Sequence, residues 1–95
     1  MTIPAYEVII WLKNPSTPLD LFERILERAK ITPYESTELK GFRDIHWGFS
    51  NAADAIEFAE GLLEFAALED VTKLTVLGES IGRKIYKDTM VLLQK

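Results

Sequence analysis

Strand-like and helix-like segments alternate along this chain, with no linker, repeat or low-complexity tract between them. That alternation limits the folds open to it. Tyr6 to Leu12 is rich in β-branched and aromatic residues and predicts a strand. Asn14-Pro15-Ser16-Thr17-Pro18 breaks it. Thr17 is placed as a helix N-cap, with Pro18 at the first helical position and Asp20 as the acid of a capping box. Leu19, Phe22, Leu26 and Ala29 then recur at helical spacing and predict one buried face, and Pro33 closes the region.

Residues 34 to 49 read as a hairpin. Its turn is expected at Lys40-Gly41, with arms near Glu35–Leu39 and Phe42–Phe49. Asn51 stands where an N-cap should, with Asp54 three positions on. Ala52 to Ala67 predicts an amphipathic helix with an apolar stripe at Ala55, Phe58, Ala59, Leu62 and Ala66. Gly61 costs that helix about 1 kcal/mol relative to Ala. Thr72 to Leu77 predicts a strand, Gly78 to Gly82 a loop whose glycines supply positive φ, and Arg83 to Lys87 an added strand. Met90 to Leu93 is an apolar tail expected to dock on the body.

The resulting order is β-α-β-β-α-β with a C-terminal extra strand or tail. Right-handed crossovers then favour an α+β, ferredoxin-like two-layer sandwich, a single domain over residues 1–95. Such a sheet carries its helices on one face. If Val8, Ile10 and Leu12 face the helices, Ile9 and Trp11 face away from them. If Ile45, Trp47 and Phe49 face inward, then Phe42, Asp44 and His46 face outward. Ile9, Trp11, Phe42, Asp44 and His46 are therefore the expected binding or interface set. Residues 83–95 could cover this face or extend the sheet edge, and the pattern alone supports both.

Composition removes several classes of function. With 95 residues, 47% of them hydrophobic, the chain is too apolar to stay disordered and must fold on packing alone. It has no cysteine, so there is no disulfide framework, zinc ribbon or thiol nucleophile. The net charge of −4 argues against general nucleic-acid binding. No apolar run approaches the ~20 residues of a membrane helix, and the start lacks a signal-peptide pattern, so a cytoplasmic protein is expected.

The stretch Ile45-His46-Trp47-Gly48-Phe49-Ser50-Asn51-Ala52-Ala53-Asp54-Ala55 resembles the third strand and second-helix start of an RNA-recognition motif. Val8-Ile9-Ile10-Trp11 stands where the other RNA-contacting strand of that family lies. The resemblance implies the sandwich fold and base stacking on outward aromatics of these two strands. Aligned on Phe49, those outward aromatic positions become Asp44 and His46, and an acid there repels phosphate.

Asp44 and His46 share a strand face, so the carboxylate could orient the imidazole. Their neighbours Arg43 and Ser50 supply no nucleophile or oxyanion hole. Lys13-Asn14-Pro15-Ser16 has no glycine-rich phosphate cradle, and Gly78 to Gly82 lacks phosphate-loop spacing. No catalytic residue is therefore assigned, and a non-enzymatic protein is expected without cofactors.

No Lys or Arg lies between Arg43 and Lys73. Within that span Asp54, Glu57, Glu60 and Glu64 share one side of the second helix, an acidic surface without basic partners in its own helix. Carboxylates spread along a helix exterior do not converge, so no metal site is expected. The leading expectation is a small binding domain that forms a homodimer, or takes a ligand, through its open sheet face. One alternative is an inhibitor-like module whose acidic helix meets a basic protein. The other is a single-stranded nucleic-acid binder of the RNA-recognition type.

Overall fold

The computed structural model describes residues 4–13, 19–39 and 42–88. Strand β1 runs Tyr6–Lys13, helix α1 Leu19–Ala29, strand β2 Glu35–Leu39 and strand β3 Phe42–Phe49. Helices α2 (Ala52–Gly61) and α3 (Leu63–Ala66) follow, then strands β4 (Val71–Gly78) and β5 (Gly82–Asp88). The five strands form one sheet in the order β2-β3-β1-β4-β5, and every neighbouring pair is antiparallel. The fold is α+β, with both hairpin arms as the sequence predicts. Among the described residues no helix is long and apolar enough to cross a membrane.

The core lies between the helices and one face of the sheet. Val8, Ile10 and Leu12 of β1 and Ile45 and Trp47 of β3 join one buried cluster with residues of all three helices. Period-two alternation carries this, as the sequence predicts. The indole N–H of Trp47 donates to the Ile31 carbonyl at 2.8 Å, so its polar atom is satisfied inside the core.

Helix α1 differs in detail from expectation. Its buried row is Leu21, Ile25 and Ala29, while Phe22 and Leu26 flank it. Two adjacent apolar rows compete here, and the Arg43 guanidinium, 4.7 Å from the ring centroid, lies over Phe22 instead. The helix ends at Ala29, where Lys30 takes a left-handed φ of 60°. That turn ends it before Pro33 can. The expected caps at Thr17 and Pro18, the Lys40-Gly41 turn and the Met90 to Leu93 tail lie outside the described residues, as do the side chains of Leu19 and Asp20.

The second expected helix is divided. Asn51 caps α2 as predicted, its side-chain oxygen accepting from the Asp54 N–H at 2.9 Å. The helix stops at Gly61, and a tight Leu62 N–H to Ala59 carbonyl bond of 3.0 Å starts the turn into α3. Gly61 is the weakest helix former in the run. Re-aiming the chain there buries both Leu62 (1% exposed) and Phe65 (5%).

Strand β5 pairs with β4 and extends the sheet edge as far as Asp88. In the connecting loop only Gly82 has a positive φ, of 64°. Gly78 serves a different purpose from the one expected. A Cβ there would lie 2.1 Å from the Tyr6 ring, so the glycine makes room for that ring.

Candidate functional site on the helix-free face

The other face of the sheet is set by the same registers. Across β1, Trp11 pairs with Asp44 on β3 and Lys73 on β4. Ile9 pairs with His46 and Thr75. Glu7 pairs with Gly48 and Leu77. Residues directly opposite in antiparallel strands share a face. So Ile9, Trp11, Asp44 and His46 lie on the side away from the helices, as does Phe42, opposite Lys13. No described helix packs on this side.

The face is less open than its composition suggests. Ile9 is buried (8% exposed) and Thr75 fully so, while Trp11 and Phe42 are half-buried. Trp11 and Phe42 form a tilted ring pair, centroids 6.0 Å apart, and the Lys73 ammonium stands 5.8 Å from the centre of the Trp11 ring. Thr75 Oγ1 is buried without a hydrogen-bond partner.

At the centre is a network with four members. His46 Nδ1 lies 2.9 Å from Glu7 Oε1, and its Nε2 lies 3.1 Å from Asp44 Oδ2. The Tyr34 hydroxyl donates to the other Glu7 oxygen, and the Tyr34 ring meets the imidazole edge-on at 6.0 Å. The backbone N–H of Thr37 donates to Asp44 Oδ1 at 2.8 Å. Glu7 reaches His46 because its direct partner, Gly48, has no side chain to stand between them. Pro4 packs over that glycine, where a Cβ would come within 2.8 Å of it.

The chemistry of this network follows from its donors. Ionised carboxylates only accept, so each contact is a hydrogen bond when the ring nitrogen that faces it carries a proton, and the imidazolium makes both. Burial alone would lower the pKa of His46. The hydrogen bonds to Glu7 and Asp44, with the charges of those two carboxylates, outweigh it, and the net direction is upward. An imidazolium so held has no lone pair for proton abstraction or metal ligation until it loses a proton. The two carboxylates also flank the ring on opposite sides, and no cluster of three or more His, Cys, Asp or Glu among the described residues could hold a metal ion. Asp44 and His46 stand together as the spacing predicts. Glu7 and Tyr34 were not anticipated. Glu7 was within reach of pattern reasoning, being the acid two residues before Ile9 on the same face.

The acidic surface is not a uniform stripe. Glu64 bonds Arg28 of α1 at 2.7 Å, so a partner absent from its own helix comes from the neighbouring one. Asp54 is tied to the Asn51 amide at 2.9 Å as part of the cap. Glu57 and Glu60 are exposed. Asp54 and Glu57 line a groove of about 640 Å³ that runs from the end of α1, past Phe49 and Phe58, to Gly61.

No protein-family model, curated protein sequence or solved structure matches this chain.

Proposed function

We propose that the chain is a non-enzymatic binding domain that works by self-association through its helix-free sheet face. The architectural part of this reading is a ferredoxin-like βαββαβ sandwich with β5 added at one edge. The strand order supports it, with β1 flanked by β3 and β4, and β2 beside β3. The observation that carries the functional part is the half-buried Trp11–Phe42 pair on a face that no described helix covers. Aromatic side chains of this kind anchor interfaces because they bury large area with few rotatable bonds. The Glu7–His46–Asp44 network supports binding over catalysis, since both imidazole nitrogens are already committed. Light scattering across micromolar concentrations tests the reading. A dimer mass is expected, reduced to a monomer by Trp11→Asp. A strict monomer, or a dimer that Trp11→Asp leaves intact, overturns it.

A further inference from the structure

One stripe of α2 and the end of α1 enclose the groove described above. Asp54, Glu57, Phe58 and Gly61 recur at helical spacing, so they stand on one side of α2, and all four line it. Ala29 and Ile31 face them from the end of α1 and the turn beyond it, and Phe49 of β3 lies between. The groove of about 640 Å³ falls in the size range of small-molecule sites, ~300–1,000 Å³. We propose that it binds a small organic cation, an alkyl- or arylalkylammonium, with the apolar body against Phe49 and Phe58 and the ammonium beside Asp54 and Glu57. The site lies on the helix side of the sheet and does not depend on self-association through the opposite face.

The apolar part of the groove is already built. The Phe49 and Phe58 rings are tilted, with centroids 5.0 Å apart, and Phe58 is braced at the same distance by the buried Trp47 ring. Both phenylalanines are only half-buried, and Ile31 is 44% exposed. Gly61 keeps one end open, since a Cβ there would meet nothing within 4 Å.

Charge selects the ligand. Three charged side chains line the groove: Arg28, Asp54 and Glu57. Arg28 and Glu64 neutralise one another through a bond of 2.7 Å. Asp54 accepts from the Asn51 amide through one oxygen, and a carboxylate has further acceptor sites. Glu57 is exposed, and no described cation pairs with it. The helix itself supplies none, because no Lys or Arg lies between Arg43 and Lys73. An anionic head group would therefore meet two carboxylates and a guanidinium that is already paired. A neutral one would gain nothing from the carboxylates. An ammonium is attracted by both carboxylates and by the negative faces of the phenyl rings.

Three probes with one phenylethyl frame test this: 2-phenylethylammonium, 2-phenylethanol and 3-phenylpropionate. Binding is read from the NMR resonances of the Phe49 and Phe58 rings. The ammonium should bind in the millimolar range, as expected for so small a ligand. It should bind about tenfold more tightly than the alcohol or the carboxylate. Glu57→Lys, at an exposed position, should weaken it by a similar factor. Gly61→Leu should block the groove and leave the fold intact, since its backbone is not left-handed and its surroundings are open. Equal binding of the three probes overturns the proposal. So does ammonium binding that Glu57→Lys and Gly61→Leu leave unchanged, or the absence of ring shifts at about 20 mM ligand. A lysine-rich peptide that shifts both rings where the free ammonium does not would also overturn it, in favour of a groove for basic protein segments.

Discussion

The two faces of this sheet are built from the same strands but hold together by different physics. On the helix side, β1, β3 and β4 contribute side chains that are almost wholly buried and apolar. On the other side the same strands contribute Glu7, Asp44, His46, Lys73 and Thr75 beside Ile9 and Trp11. The first face gains stability from area removed from water and close packing. The second depends on particular partners, since each buried polar group there is costly unless satisfied. One alternation of residues produces both, and only the neighbours across the sheet distinguish them.

The largest effect should fall on the helix side. Trp47 is fully buried and bonded to the Ile31 carbonyl. Trp47→Ala should cost about 3–5 kcal/mol, read as a shift in the denaturant midpoint. Trp11, on the same sheet but half-buried, should cost about 1–2 kcal/mol when cut to Ala. If the two losses are equal, the faces are not energetically distinct and the contrast fails.

This contrast also explains what was legible in the sequence. The hairpin arms, the Asn51 cap and the inward rows of β1 and β3 depend on neighbours close in sequence or on simple alternation, and they were readable. The Glu7–His46 bond spans 39 positions and needs both the β1–β3 register and the missing side chain of Gly48. No local pattern encodes that pair. The Arg28–Glu64 bridge was hidden for the same reason, because it joins two helices. In α1 the difficulty was surplus. Leu21 and Ile25 compete with Phe22 and Leu26, and only the way the helix sits on the sheet chooses between the rows.

The next effect is a dependence on pH confined to the polar face. His46 holds its proton more tightly in the folded chain than the ordinary value of 6.5 implies. A group whose pKa rises on folding contributes stability in full below its unfolded pKa and loses it as pH rises through the folded value. Stability should therefore fall as pH climbs from about 6.5 through the raised value of His46. Glu7→Gln should lower that pKa, measured by NMR titration of the ring, and cost about 1–2 kcal/mol at pH 6. His46→Gln should flatten the same portion of the pH–stability curve. A curve unchanged by His46→Gln would mean that the network is not what ties this face together.

The smallest effect has the opposite sign. Thr75 is fully buried at the centre of the polar face, and its hydroxyl has no hydrogen-bond partner. Leaving such a group unpaired costs about 1–3 kcal/mol, whereas an apolar group of the same shape carries no such penalty. Thr75→Val keeps the branched shape between Ile9 and Ile85, its neighbours across the sheet. It should raise the unfolding free energy by about 1 kcal/mol. On the helix side the reverse exchange, Val76→Thr, should lose stability, because that position is buried in the apolar cluster. The two substitutions sit one residue apart on β4 and differ only in which face they reach. If Thr75→Val destabilises, the hydroxyl has a partner on this face after all, and the polar face is more completely satisfied than its geometry indicates.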